Sequence, residues 1–214
     1  MKKLIIAGAG GFGREVLQWA LQSVDFNKKF IISGFIDDDK TALDKFSLPF
    51  KILGTITEWI PSNNEVFIVA AGHVNNKMTI ESKLTEKGAC YINIIHPTAI
   101  INDTATLGVG NIICPNVVIS DSAFLNNHAS INVGSIIGHD AIIGPYSVIS
   151  SQCDITASVI IGEGVFLGSK VSILPGMKIG RNSYLCAGSV IMSDVKEESR
   201  MFGVPAKIFH IGEK

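Results

Sequence analysis

A period of six constrains this chain more than any other feature. From Ile95 to Ile191, every sixth residue is Ile or Leu, seventeen positions in succession. Four residues after many of them stands a small side chain: Ala99, Ala105, Ala123, Ala129, Ser135, Ala141, Ser147 and Cys153. Glycine directly follows the aliphatic at 108, 138, 144, 162, 168 and 180. Six matches neither the 3.6 of a helix nor the 2 of a strand. It is the hexapeptide β-helix repeat, in which three hexapeptides close one triangular coil of 18 residues. The aliphatic points into the prism, and the small residue fits where the flat sides meet. Gly and Asn relieve the corners, where positive φ is needed. Coils stack about 4.8 Å apart, the usual strand spacing. The expected winding is left-handed, an exception to the right-handed crossover rule. Seventeen hexapeptides make nearly six coils without an inserted loop.

The first half has a different grammar. "KKLIIAG" reads as a buried strand, and behind it Leu17, Ala20, Leu21 and Val24 fall at i, i+3, i+4 and i+7 of a helix. "FIISGFIDDD" and "EVFIVAAG" read as a second and third strand. A helical stretch "NNKMTIESKLTEKG" follows, then a short strand "CYINII". Strands alternating with helices predict a parallel sheet. The expected organisation is therefore a small Rossmann-like α/β domain over 1–93 and a left-handed parallel β-helix with a C-terminal tail over 94–214.

Composition excludes several classes. A net charge of −1 without a basic block argues against a nucleic-acid binder. The apolar run after Lys2 and Lys3 stops at Gly8, short of a signal-peptide core, and nothing reaches the length of a membrane span. A cytoplasmic protein is expected. Cys90, Cys114, Cys153 and Cys186 lie far apart and read as small buried hydrophobes.

Gly8, Gly10 and Gly13 spell G-x-G-x-x-G between a strand and a helix, a pattern that lets backbone approach a phosphate at a helix N-terminus. Asp37 lies where a ribose-binding acid would follow. NAD is one reading. The diphosphate of a nucleotide-linked sugar fits the same loop, and the domain is short for a dinucleotide. Asp37 and Asp38 would then read ribose or base edges. A ligand-free turn is the third reading.

Of the five histidines, His73 ends the third strand, His96 precedes Pro97 at the entry to the β-helix, and His210 lies in the tail. His128 sits at a coil corner beside Asn126 and Asn127, where solvent exposure is expected. His139 is followed by an acid, Asp140, at a corner between two regular coils. His96, His128 and His139 lack the short regular spacing of a three-histidine zinc site, so no metal is expected.

Together, "GAGGFGREV", "GFIDD", "INVGSIIGHDAIIG" and "GVPAK" resemble the sugar O- and N-acyltransferases, a family that includes NeuD-like sialic-acid O-acetyltransferases and PglD-like UDP-4-amino-sugar N-acetyltransferases. The resemblance covers nearly the whole chain. It implies a homotrimer, with acetyl-CoA along the groove between neighbouring β-helices and a nucleotide-linked amino sugar on the N-terminal domain. It makes His139 the catalytic base and Asp140 its partner. It places Gly10, Gly11, Phe12 and Gly13 at the phosphates, Asp37 and Asp38 at the nucleoside, and Gly72 near the sugar. Asn132 falls near the thioester; Ser169 and Ala187 or Gly188 fall along the pantetheine. Many relatives carry a second histidine where this chain has Val148. Polarisation of the acetyl carbonyl then falls to backbone N–H groups or a neighbouring chain.

An imidazole suits proton removal from an attacking amine or hydroxyl near neutral pH. Residues 18 apart stack, so Asp103, Asp121 and His139 share one ladder, and Asp121 competes with Asp140 as the partner of His139. The resemblance implies N-acetylation of a nucleotide-linked 4-amino-4,6-dideoxy-type sugar for surface-glycan synthesis as the expected activity. The alternatives are O-acetylation of a sialic-acid-like sugar, a non-catalytic nucleotide-sugar-binding trimer and, more remotely, an NAD oxidoreductase.

Overall fold

The computed structural model describes residues 1–209, so His210 lies outside the described residues. The chain divides into two compact units, Met1–Pro97 with Val109–Ile112, and Thr98–Gly108 with Ile113 onward.

The first unit is a parallel sheet of β1 (Lys2–Ala7), β2 (Phe30–Ile36), β3 (Ile52–Gly54) and β4 (Glu65–Val69), in spatial order β3-β2-β1-β4. Two helices join it, α1 (Gly11–Gln22) after β1 and α2 (Val74–Thr85) after β4. α1 turns Val16, Leu17 and Ala20 inward. It ends at Gln22, and Val24 is largely exposed, so the apolar face is one turn shorter than its spacing suggests. β3 escaped the sequence reading because three residues carry no period. "CYINII" contributes only a bridge from Tyr91 to Phe67 and the strand Ile94–Ile95. Ile5, Ala7, Ile36, Ile56, Phe67 and Leu84 form a shared core.

The second unit is a parallel β-solenoid. Two-residue strands recur every six residues and pair with the strand 18 residues away: Phe124–Leu125 with Ile142–Ile143, and Ile136–Ile137 with Asp154–Ile155. From Ile113 to Ile191 the inward Ile and Leu are at most 2% exposed. Each is worth about 1.5–3 kcal/mol of burial. The small residues from Ala123 to Cys153 are buried beside them.

The corners separate two reasons for small residues. Every sixth residue from Gly110 to Gly188 has a left-handed φ, between 55° and 76°. Only five of these fourteen are glycine. Ser122, His128, Asp140, Tyr146, Gln152 and Lys170 accept the conformation at roughly 1 kcal/mol each. The glycines directly after the aliphatics lie outside that region of φ, contrary to their expected role of relieving corners. They are needed for closeness: a Cβ on Gly138 would lie 2.6 Å from Thr156 C, and one on Gly162 would lie 2.7 Å from Arg181 N. Pro97, Pro115, Pro145 and Pro175 all occupy the second position after an aliphatic, where a missing N–H is tolerated.

Two histidines differ from expectation. His128 is buried, not solvated, and stacks on Tyr146, one coil along, with ring centroids 5.5 Å apart. His96 is buried, with Nε2 2.6 Å from Gln22 Oε1 on α1. Burial pushes its pKa below the usual 6.5. Cys90 is exposed, against expectation, whereas Cys114 and Cys153 are buried. Burial raises the Cys153 thiol to about 11. Among the described residues no helix is long and apolar enough to cross a membrane.

Gly162→Ala is expected to cost about 1–3 kcal/mol in a denaturant titration, through overpacking against the next coil. Gly134→Ala, at φ 68° where a Cβ would meet only Gln152 Cγ at 3.8 Å, should cost about 1 kcal/mol, from the left-handed backbone alone. His96, held neutral by the fold, favours the folded state above the unfolded pKa near 6.5, and that advantage is lost as pH falls through its lowered value. The stability gap between wild type and His96→Asn should therefore narrow from pH 7 to pH 5.

Candidate active site

The chemistry-bearing residues gather in two places, one in each unit. In the first, the helices start where β1 and β4 end, beside the point where the strand order reverses. Such a point is where open α/β sheets bind ligands. Here lies a cleft of about 540 Å³. Gly10, Gly11, Phe12, Asp37, Asp38, Gly72 and His73 all line it.

Gly13 does not. It packs beneath the loop, where a Cβ would run into the Gly8 carbonyl. Gly8, at φ 109°, lies so close to β4 that a Cβ would sit 2.8 Å from Ala70 O. Gly10 is the N-cap of α1 and offers no side chain to its N–H groups, and nothing crowds the space a Cβ would take there. Backbone donors at the start of α1 therefore face the cleft with room for an anion.

The two aspartates do different work. Asp37 accepts Ala9 N–H on Oδ2 at 2.6 Å and Asp39 N–H on Oδ1 at 2.9 Å. It ties the glycine loop to the end of β2. Asp38 accepts Thr57 N–H at 3.0 Å and the Thr57 hydroxyl at 3.1 Å, and its Oδ2 lies 3.5 Å from Lys83 Nζ. Burial raises its pKa, but the Thr57 bonds and the Lys83 charge outweigh that and leave the carboxyl below its usual range. The sequence reading missed the far wall. Asn76, Thr79, Ile80 and Lys83 line the cleft from α2. Their i, i+3, i+4, i+7 spacing was a legible signal, but it mixes polar and apolar residues and so does not stand out as a face.

In the second unit, His139 and Asp140 form the corner between the strands Ile136–Ile137 and Ile142–Ile143. Backbone bonds fix that corner from both neighbouring coils: Asp140 N–H donates to Asp121 O at 3.0 Å, and Ser158 N–H donates to His139 O at 2.9 Å. Asp140 takes the left-handed conformation, φ 59°. Its Oδ2 lies 2.7 Å from His139 Nδ1, and both side chains are more than half exposed. Asp121 is directed elsewhere. It accepts the Thr104 hydroxyl at 2.5 Å and the Ser122 hydroxyl at 3.1 Å. Those bonds, with a smaller contribution from the His139 charge, hold its pKa below the usual carboxylate range. Asp140 is thus the carboxylate in contact with His139, and Asp121 lies beneath without bonding the ring.

Asn132 is half-buried. It donates Nδ2–H to Ile149 O at 2.9 Å, and its Oδ1 lies 3.8 Å from the Cys114 thiol. Ser169, Ala187 and Gly188 are exposed on the same corner column as Asn132, with Gly188 N–H bonded to Ser169 O at 2.9 Å. Val148 is buried at 3% exposure and presents nothing polar. Among the described residues no cluster of three or more His, Cys, Asp or Glu side chains could hold a metal ion.

Residues 3–84 match the PglD N-terminal domain, and residues 158–193 match the bacterial transferase hexapeptide, six repeats. Solved structures share this whole arrangement. PerB from Caulobacter crescentus, in complex with CoA and GDP-perosamine, superposes with a TM-score of 0.88 at 24% identity, covering 98% of each chain. The acetyltransferase domain of PglB from Neisseria gonorrhoeae, in complex with acetyl coenzyme A, gives 0.86 at 23% identity, over 97% of this chain and 99% of that one. At these identities the likeness is one of fold. A curated Saccharomyces cerevisiae protein is 44% identical over 43 residues, 20% of this chain and 22% of that protein's length.

Asp37→Ala should free the glycine loop. Amide exchange at Ala9, Gly10 and Gly11 is expected to accelerate, with about 1 kcal/mol of stability lost with the half-buried bond.

Proposed function

We propose that the protein transfers an acetyl group from acetyl-CoA to the amine of a nucleotide-linked amino sugar, with His139 as general base. The observation that carries this reading is the His139–Asp140 pair. Nδ1 is held at 2.7 Å by a carboxylate whose backbone is locked in the coil, and the ring stands exposed at a corner. That arrangement fixes the tautomer and leaves Nε2 to take a proton. The PerB complex with GDP-perosamine supports a nucleotide-linked sugar as acceptor, and both complexes described above support CoA as the donor.

The amine nitrogen attacks the thioester carbonyl carbon and a C–N bond forms. His139 Nε2 takes the proton that the nitrogen loses. The C–S bond then breaks, the thiolate takes a proton, and the products are an amide and CoA thiol. Val148, buried, cannot polarise the carbonyl, so that task falls to backbone N–H groups or a neighbouring chain. Asn132, Ser169, Ala187 and Gly188 lie on the coil edges that pantetheine would follow. A homotrimer would supply the second wall of that groove. Ile136 and Ile142, beside the His139 corner, are 44% and 39% exposed and suit such an interface. A cytoplasmic location belongs to this reading, because both co-substrates are charged and soluble.

A thiol-release assay with acetyl-CoA and a panel of UDP-, dTDP- and GDP-linked amino sugars tests the proposal. His139→Ala is expected to lower kcat by roughly 10²–10⁴ with little change in acceptor binding. Wild-type turnover in that variant would remove His139 as base. Nucleotide-sugar binding without thiol release would favour a non-catalytic binding trimer. Release only with hydroxyl acceptors would favour O-transfer. Asp140→Asn should impair kcat more than Asp121→Asn, since only Asp140 touches the ring.

A further inference from the structure

We propose that Lys83, held in place by Asp38 and Thr57, is a side chain that reads the nucleoside of the bound nucleotide, while Asp37 braces the glycine loop. This rests on the cleft of the first unit being the nucleotide site.

The direction of α2 carries the argument. The helix starts at Val74, just after the end of β4, yet Lys83 near its other end meets Asp38 just past the end of β2. α2 therefore crosses over the strand ends, from the β4 side of the sheet to the β2 side. Ten residues from His73 to Lys83 span about 15 Å. The glycine loop, with its open N–H groups, follows β1, between the two sides. A diphosphate seated there leaves one arm of the cleft toward Gly72 and His73 and the other toward Asp38, Ile56, Ile80 and Lys83.

The two arms differ in chemistry. The β2 arm offers apolar walls, Ile56 and Ile80, with a donor and an acceptor at their edge. A planar heterocycle with polar edges needs that combination. Lys83 Nζ donates to Thr57 Oγ1 at 3.1 Å, and that hydroxyl in turn donates to Asp38 Oδ2 at 3.1 Å. The three groups form a closed set drawn from α2, the segment after β3 and the end of β2. Two of the ammonium's three donor positions face these partners, leaving one for an acceptor on the base or ribose. Both oxygens of Asp37 accept backbone N–H groups, from Ala9 of the glycine loop and from Asp39, so its bonds brace the loop at the end of β2. Lys83 is also the only Lys or Arg lining the cleft among the described residues. Its alternative employment would be charge pairing with the phosphates. Its place at the end of the cleft remote from the α2 N-terminus, bound to Asp38, favours the nucleoside.

The test is calorimetric titration of wild type, Lys83→Met and Thr57→Val with UDP, GDP, dTDP, ADP and inorganic diphosphate. The wild type should prefer some of the nucleotides. Lys83→Met should weaken the preferred one by about tenfold or more and flatten the preference, while inorganic diphosphate binds as before. Thr57→Val should weaken it in the same order to a smaller extent. Equal loss of inorganic diphosphate and nucleotide would make Lys83 a phosphate ligand and overturn the inference. Unchanged nucleotide binding in a folded Lys83→Met would also overturn it while leaving the cleft intact as the site. If the wild type binds none of the five, the cleft is not a nucleotide site and both readings fall together. Thermal melting of each variant separates misfolding from lost recognition.

Discussion

The distance between one coil and the next governs the solenoid, and its corner chemistry with it. Backbone bonds run from coil to coil at each corner from Gly134 to Gly188, such as Asp140 N–H to Asp121 O and Ser158 N–H to His139 O. They form only if no side chain intervenes. Gly138, Gly162 and Gly168 stand where a Cβ would lie 2.5–2.7 Å from the next coil's backbone. The inward aliphatic column supplies the drive for stacking, and these glycines set how near the coils come. An imidazole and a carboxylate on a surface loop would sample many rotamers. On a corner bonded above and below, they meet at 2.7 Å.

The left-handed residue of each corner adds a second consequence. Asp140 occupies that position, where the backbone costs about 1 kcal/mol more than it would for glycine. Small strains at functional positions persist where surrounding structure over-determines them. The solenoid does so at the nine non-glycine corners among its fourteen, and at one of them the residue supplies a carboxylate to its neighbour. Stability comes from the stacked core, and the corners are free to vary in chemistry because their backbone is set by the stack.

The first unit solves a different problem with an acid. A loop with three glycines gains open N–H groups and loses order. Asp37 recovers the order by accepting the Ala9 N–H from across the strand ends. The cleft thus pairs a braced loop at its centre with Asp38, Thr57 and Lys83 at one end. These three come from separate parts of the chain, so only folding assembles them.

Much of this was legible in the residues. The period of six predicted coils, inward aliphatics and the stacking of residues 18 apart, because a repeat dictates the same geometry at each turn. The glycine loop and the helices of the first unit followed from spacing, and the predicted cleft residues lie together apart from Gly13. What the sequence could not decide was every contact between partners not related by that repeat. It left Asp121 and Asp140 as rivals for His139, because adjacency and stacking are equally regular. Side-chain direction chose between them, with Asp121 drawn to Thr104 and Ser122. It placed His128 in solvent, because stacking on Tyr146 depends on two corners having the same left-handed turn. It gave no sign of Lys83, because that contact arises only when α2 crosses the strand ends. Local periodicity determined the fold and the address of the candidate base. Tertiary packing, which alone brings distant side chains to hydrogen-bond distance, decided what each acid and each cation does there.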